Sequence, residues 1–169
     1  METDELKAFF ATWDREAAKA ATLLRALPAD CYDLRPDPGG RSVGELAWHL
    51  AEGDAYMSLF VVRGAMQPGE KPPGIERPRS IAELAPGFER IHAAARARLA
   101  GLGPADLARE LTFLDGQRMS VSRILWEAVL YHLIHHRGQL SLMCRLSGAA
   151  PPGMYGPNRE EMAALREKH

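Results

Sequence analysis

The 169-residue chain sets 21 Lys and Arg against 22 Asp and Glu, a formal charge of -1, so it has no global field to gather nucleic acid or an anionic membrane surface. With 46% hydrophobic and 25% charged residues it has the composition of an ordinary globule, and its length suits one core, so a single domain over residues 1–169 is expected. No apolar run approaches a membrane span, the acidic start METDELKAFF is not a secretory signal, and Cys31 and Cys144 lack C-x-x-C spacing, which together predict a cytoplasmic protein with reduced thiols.

From Thr3 onward, apolar residues recur at Leu6, Phe9, Phe10, Trp13, Ala17, Ala20, Leu24 and Leu27, the periodicity of an amphipathic helix that Pro28 ends. Pro36, Pro38, Gly39 and Gly40 then mark an irregular connection. Ser42 stands three residues before Glu45, the spacing at which a hydroxyl and a carboxylate satisfy each other's backbone amides. It predicts a second helix to about Arg63, with an inward stripe through Leu46, His49, Gly53 or Leu50, Tyr56 and Phe60. Residues 64–79 are rich in Gly and Pro and form a loop long enough to cross a bundle end. Ser80 and Glu83 repeat the cap spacing before a third stripe, Ile81, Leu84, Phe88, Ile91, Ala95, Leu99 and Leu102. Pro86 should kink that helix or start it, and His92 reads as a boundary or surface residue.

Between Arg109 and Met119, Asp115-Gly116 predicts a tight turn between two short extended pieces that organise nothing larger. Ser120 or Ser122 caps a fourth helix ending near Ser147 and Gly148, with an inward face of Leu125, Val129, His132, His136, Gln139 or Leu140, and Met143. After a Pro/Gly break, Asn158 caps a short charged helix to about Lys168. Four long amphipathic segments with almost no strand signal argue for an all-α, up-down-type four-helix bundle, its long crossover loop lying between helices two and three.

Bundles hold metals between facing helices, and here histidines supply the donors. His132 and His136 are four apart, so both imidazoles share one helix face. On an apolar stripe two unpaired rings would be costly to bury, and a metal removes that cost. His49 of the second helix is the candidate third ligand, while His135 points away from the pair. The pattern is not H-E-x-x-H, shows no repeated Glu-x-x-His, and is accompanied by no phosphate loop or nucleophile elbow.

The segment HLIHHRGQLSLMCRLSG, with AWHLAEGD upstream, resembles the DinB/YfiT-like superfamily of small metal-binding four-helix bundles. The resemblance implies that His49, His132 and His136 bind one divalent ion, with zinc or nickel expected and iron also accommodated. It further implies a metal-dependent enzyme, such as a low-molecular-weight-thiol S-transferase or a hydrolase, that activates a thiol or water for a small-molecule substrate. A non-catalytic metal-binding stress-response or interaction bundle is the alternative. A homodimer also follows from the resemblance, and the charge balance and lack of a long apolar run predict no nucleic-acid or membrane partner. Glu52 could orient a ligand imidazole or contact substrate, and Tyr56 could line the pocket. Glu45 is read as a cap partner and Arg137 as a structural ion-pair group. Loops 29–41, 64–79 and 148–157 are expected to set the substrate.

Overall fold

The computed structural model of the protein describes residues 2–66, 69–113 and 115–168, with side chains from Glu5 onward; Pro68, one of the breakers in the long loop, lies outside them. Helix α1 covers Glu2–Ala26, α2 Val43–Arg63 and α3 Ile81–Leu99. A single turn, α4 (Pro104–Leu107), precedes an antiparallel hairpin of β1 (Glu110–Thr112) and β2 (Arg118–Ser120), in which Leu111 faces Met119. The fourth long segment is continuous: α5 (Val121–Arg123), a π-helical stretch over Ile124–Tyr131, and α6 (His132–Leu146). Helix α7 (Arg159–Arg166) follows.

The caps explain these boundaries. Ser42 and Glu45 close a full capping box at α2, and Gly64 ends that helix in the left-handed region at φ 82°, a conformation that costs glycine little. Ser120, not Ser122, caps the fourth segment by accepting from the Arg123 amide at 3.2 Å; Ser122 instead donates to Glu5. Asn158 and Glu161 form the box at α7. At α3, Ser80 spends its hydroxyl on the Glu83 carboxylate at 2.9 Å, so the helix starts at Ile81 without a side-chain cap. Pro86 lies inside α3 rather than starting it. The carbonyl its missing N–H would have served is that of Ala82, an exposed residue, so water can take the place of the lost bond.

The expected four-helix bundle forms. Around its axis the order is α1, α3, α2 and the fourth segment, so α1 and α2 lie diagonally and α2 and α3 side by side. The diagonal steps are therefore made by residues 27–42 and by residues 100–120, and the loop 64–80, expected to be the crossover, joins neighbours. One core runs through the bundle, with Phe9, Trp13, Trp48, Phe60 and Phe88 fully buried. Two glycines allow the close approaches it needs: a Cβ on Gly44 would meet the Tyr32 ring at 2.4 Å, and one on Gly87 would meet Trp48 at 2.7 Å.

His92 is not a surface residue. Its Nδ1 lies 2.8 Å from Asp54 and its Nε2 3.1 Å from Asp14, and its ring packs edge-on against Trp13. Trp13 Nε1 donates to the same buried Asp54 at 3.2 Å, so one polar cluster ties α1, α2 and α3 together. Burial opposes charge on His92, but the two carboxylates outweigh it and hold its pKa above the ordinary value.

Candidate metal centre

The buried stripe of the fourth segment differs from the one that 3.6-residue spacing predicts. It runs through Leu125, Val129, Leu133, Arg137, Leu140 and Cys144. A π-turn takes in an extra residue, so the stretch Ile124–Tyr131 rotates everything after it relative to an unbroken α-helix. His132 and His136 consequently leave the centre of the stripe for its edge, where both are half-buried and face α2. His49 sits at the matching edge of α2, one turn before Gly53.

There the three imidazoles meet. Ring centroids lie 5.0 Å apart for His49 and His132, 4.8 Å for His49 and His136, and 4.4 Å for His132 and His136. One nitrogen from each ring can be chosen so that all three lie within 4.8 Å of one another. Side-chain rotations could bring such a set within bonding distance of one divalent ion, for which nitrogen ligands stand at about 2.0–2.1 Å in the case of zinc. Gly53 makes the meeting possible, since a Cβ at that position would stand 3.1 Å from His132 Nδ1.

Neighbouring groups fix the rings and their protonation. Nδ1 of His49 is 3.1 Å from the Glu52 carboxylate, and Nδ1 of His136 is 2.7 Å from Gln139 Oε1. Each contact orients its ring through Nδ1 and leaves Nε2 available as a donor to an ion. Burial, reinforced by the other histidines, pushes His132 down to about 4, and burial also lowers His136 against the pull of Gln139. The hydrogen bond to His49 holds Glu52 below the usual carboxylate range, against the effect of its own burial. Imidazoles turned toward a common point and backed by a carboxylate are the donor set that a divalent ion requires.

The cluster opens on a cavity of about 760 Å³ whose wall includes His49, His132, Glu52 and Tyr56. Phe113, Met119, Met57 and Met66 supply apolar lining, and Arg41, Asp115 and Glu127 stand among the polar groups. The Arg123 guanidinium already holds Glu127 at 2.9 Å. The hairpin thus forms one wall of the site, a role its weak strand signal concealed, because a strand that packs on a cavity needs only a few apolar residues. Loops 29–41 and 64–79 contribute Arg41's neighbourhood and Met66, whereas loop 148–157 lies elsewhere. Its Tyr155 hydroxyl donates to Glu16 and accepts from Arg137, both at 2.6 Å.

Glu45 serves as cap partner and pairs with Arg35 at 2.8 Å, and His135 is exposed. Arg137 is buried at 2% exposure, paired with Glu16 at 2.7 Å and bonded to the Glu16 carbonyl at 2.9 Å, so the arginine beside His136 secures α6 to α1. No helix among the described residues is long and apolar enough to cross a membrane.

Comparison with known proteins agrees with this architecture. The chain is similar to an uncharacterized protein, YrdA, of Bacillus subtilis strain 168, with 26% identity over 159 residues covering 92% of this chain and 90% of that one. Its fold matches the crystal structure of a DinB-like protein from Bacillus cereus ATCC 10987 with a TM-score of 0.72 and 25% identity, over 88% of this chain and 97% of the other. The DinB-like protein YjoA of Bacillus subtilis has the same fold, with a TM-score of 0.70 at 20% identity over 90% and 99% of the two chains. The sequence model of the DinB superfamily matches residues 12–140, from the first helix through His132 and His136 of the fourth segment, and the chain belongs to that superfamily.

Proposed function

We propose that this protein is a cytoplasmic metal-dependent enzyme in which His49, His132 and His136 hold one divalent ion, zinc or nickel before iron, and that it transfers a low-molecular-weight thiol to an electrophilic small molecule. The observation that carries the proposal is the convergence of three histidine donors, two of which, His49 and His132, line a ligand-sized cavity. Three protein ligands leave at least one position open, the arrangement of catalytic rather than structural zinc. When bound, such an ion supplies a Lewis acid that lowers the pKa of a thiol or water. The chain's own residues do the rest. Glu52 and Gln139 set the ring orientations, and Phe113 with the methionines excludes water from the substrate's apolar portion. Tyr56, half-buried on the same wall, is placed to touch substrate.

The deciding experiment is turnover of monochlorobimane by the metal-loaded protein with a panel of thiols. A metal-dependent rate with at least one thiol is expected. Tight metal binding without turnover of this or a hydrolysable ester substrate would instead favour a non-catalytic metal-binding bundle. Glu52→Gln should lower metal affinity by about 10- to 100-fold, the usual effect of losing a carboxylate behind a ligand histidine, as measured by competition with a chromophoric chelator.

The protein is further proposed to act as a homodimer. Tyr131, Leu142 and Leu146 are 55%, 62% and 58% exposed and lie on one outward face of the fourth segment, where Gly138 leaves open space for a second helix. Light scattering should give the dimer mass for the parent chain and the monomer mass for Leu142→Lys combined with Leu146→Glu. A dimer that survives both changes would place the interface elsewhere.

A further inference from the structure

Beside the main cavity lies a second one of about 230 Å³, formed by Lys71, Ile75, Glu76, Arg77 and Arg79 of the long loop. Glu52 and Tyr56 line both, so the two spaces meet at the residues next to the histidine cluster. Charge in the smaller cavity is not balanced locally. Three cations stand against two carboxylates, and Glu52 is already committed to His49. Arg77 forms only long ion pairs, 3.5 Å to Glu45 and 3.7 Å to Glu52, too far for a hydrogen bond to either, and those carboxylates are already bonded to Arg35 and His49. Among the described residues, Lys71 and Arg79 form no ion pair or side-chain hydrogen bond, and Glu76 neutralises neither of them.

The loop carrying these cations is anchored. Trp48 Nε1 donates to the Ile75 carbonyl at 2.9 Å, the Tyr32 hydroxyl donates to the Pro78 carbonyl, and the Ile75 side chain is buried. The anchors, Trp48 of α2 and Tyr32 of the 27–42 connection, bracket Arg77. Cations on a fixed backbone lose less entropy when they bind an anion than cations on a mobile one, and guanidinium groups suit carboxylate and phosphate oxygens.

We infer that this crevice is a subsite for the anionic tail of the small molecule whose reactive end reaches the histidine cluster. Carboxylate or phosphate groups of the tail pair with Lys71, Arg77 and Arg79, and the connecting segment passes Glu52 and Tyr56. For the reactive end the inference rests on the three-histidine metal site proposed above; for the tail it does not, because the cations are in place without an ion.

The test has two arms. In the first, isotope-labelled metal-free protein is titrated at constant ionic strength with succinate, inorganic phosphate and neutral succinamide, and amide resonances are followed. Succinate or phosphate should shift Lys71, Ile75, Arg77 and Arg79 saturably, the tighter of the two identifying the preferred group, and succinamide should not. The variant Lys71→Gln with Arg79→Gln, two exposed positions, should bind the anion roughly tenfold more weakly. Equal shifts with succinamide, shifts centred elsewhere, or an unaffected variant would overturn the subsite whatever the metal does. In the second arm, cobalt-loaded protein is titrated with glutathione and with its diethyl ester, read by thiolate-to-cobalt absorption. Glutathione should bind more tightly, and the double variant should abolish the difference. Equal affinities would overturn the link between crevice and cluster, whereas no thiolate band with either thiol would count against the metal-site reading instead.

Discussion

Purified wild-type protein is expected to retain close to one equivalent of divalent metal, and His49→Ala and His136→Ala are each expected to lose it while keeping the helical content of the parent. The reason is geometric. His49 stands on α2 and His132 and His136 on the fourth segment, with ring centroids 4.4 to 5.0 Å apart. Removing any one ring leaves two donors, and two imidazoles bind zinc far more weakly than three. The fold should tolerate the change, because each histidine lies at the half-buried edge of its helix rather than in the core. Inductively coupled plasma mass spectrometry, beside circular dichroism, separates the outcomes. Full metal content in both variants would rule out the three-histidine site, and unfolding of both would mean that the rings are structural first.

Arg137→Ala should do the reverse, leaving the metal donors in place and destabilising the bundle by about 3–5 kcal/mol, the magnitude typical of removing one partner from a buried ion pair. Arg137 and Glu16 are each 2% exposed and lie 2.7 Å apart. Without the guanidinium, Glu16 keeps Tyr155, Lys19 and a longer ion pair with the exposed Arg15 at 3.6 Å to offset its desolvation. Urea denaturation measures the loss, and a change under 1 kcal/mol would show that the pair is not a structural tie. The pH dependence has a definite sign. Burial pushes Glu16 upward, but hydrogen bonds from Tyr155, Lys19 and Arg137 and the arginine charge outweigh it and bring it from 4.5 down to about 2. A folded-state pKa below the unfolded one stabilises the protein above pH 4.5, and that contribution is lost as pH falls from 4.5 through 2. At about 1.4 kcal/mol per unit the full loss is roughly 3–4 kcal/mol. The stability gap between wild type and Glu16→Gln should therefore narrow over that window and be constant above it.

These two outcomes divide the signature around His136 into parts. The first would assign His132 and His136 to the proposed metal site and the second Arg137 to the fold, although the three lie within six residues on one helix. Spacing assigns the first two to a shared face and cannot by itself assign the third. Its role depends on Glu16 and Tyr155, which stand 121 and 18 residues away along the chain. The same limit applied to His92, whose partners Asp14 and Asp54 come from two other helices.

Local chemistry alone determined the helices, the boxes at Ser42 and Asn158, the turn at Asp115-Gly116 and the pairing of His132 with His136 on one face, because each depends on residues within a turn or two of one another. Tertiary structure decided how that face is aimed. The π-turn over Ile124–Tyr131 rotates the histidines from the centre of the apolar stripe to its edge, Gly53 lets α2 approach them, and the hairpin supplies the far wall of the cavity. A helical period read from sequence assumes an unbroken α-helix, and one π-turn moves everything beyond it by about 100°. For that reason the identity of the three histidines was legible in the chain, and their half-buried position against an open cavity was not.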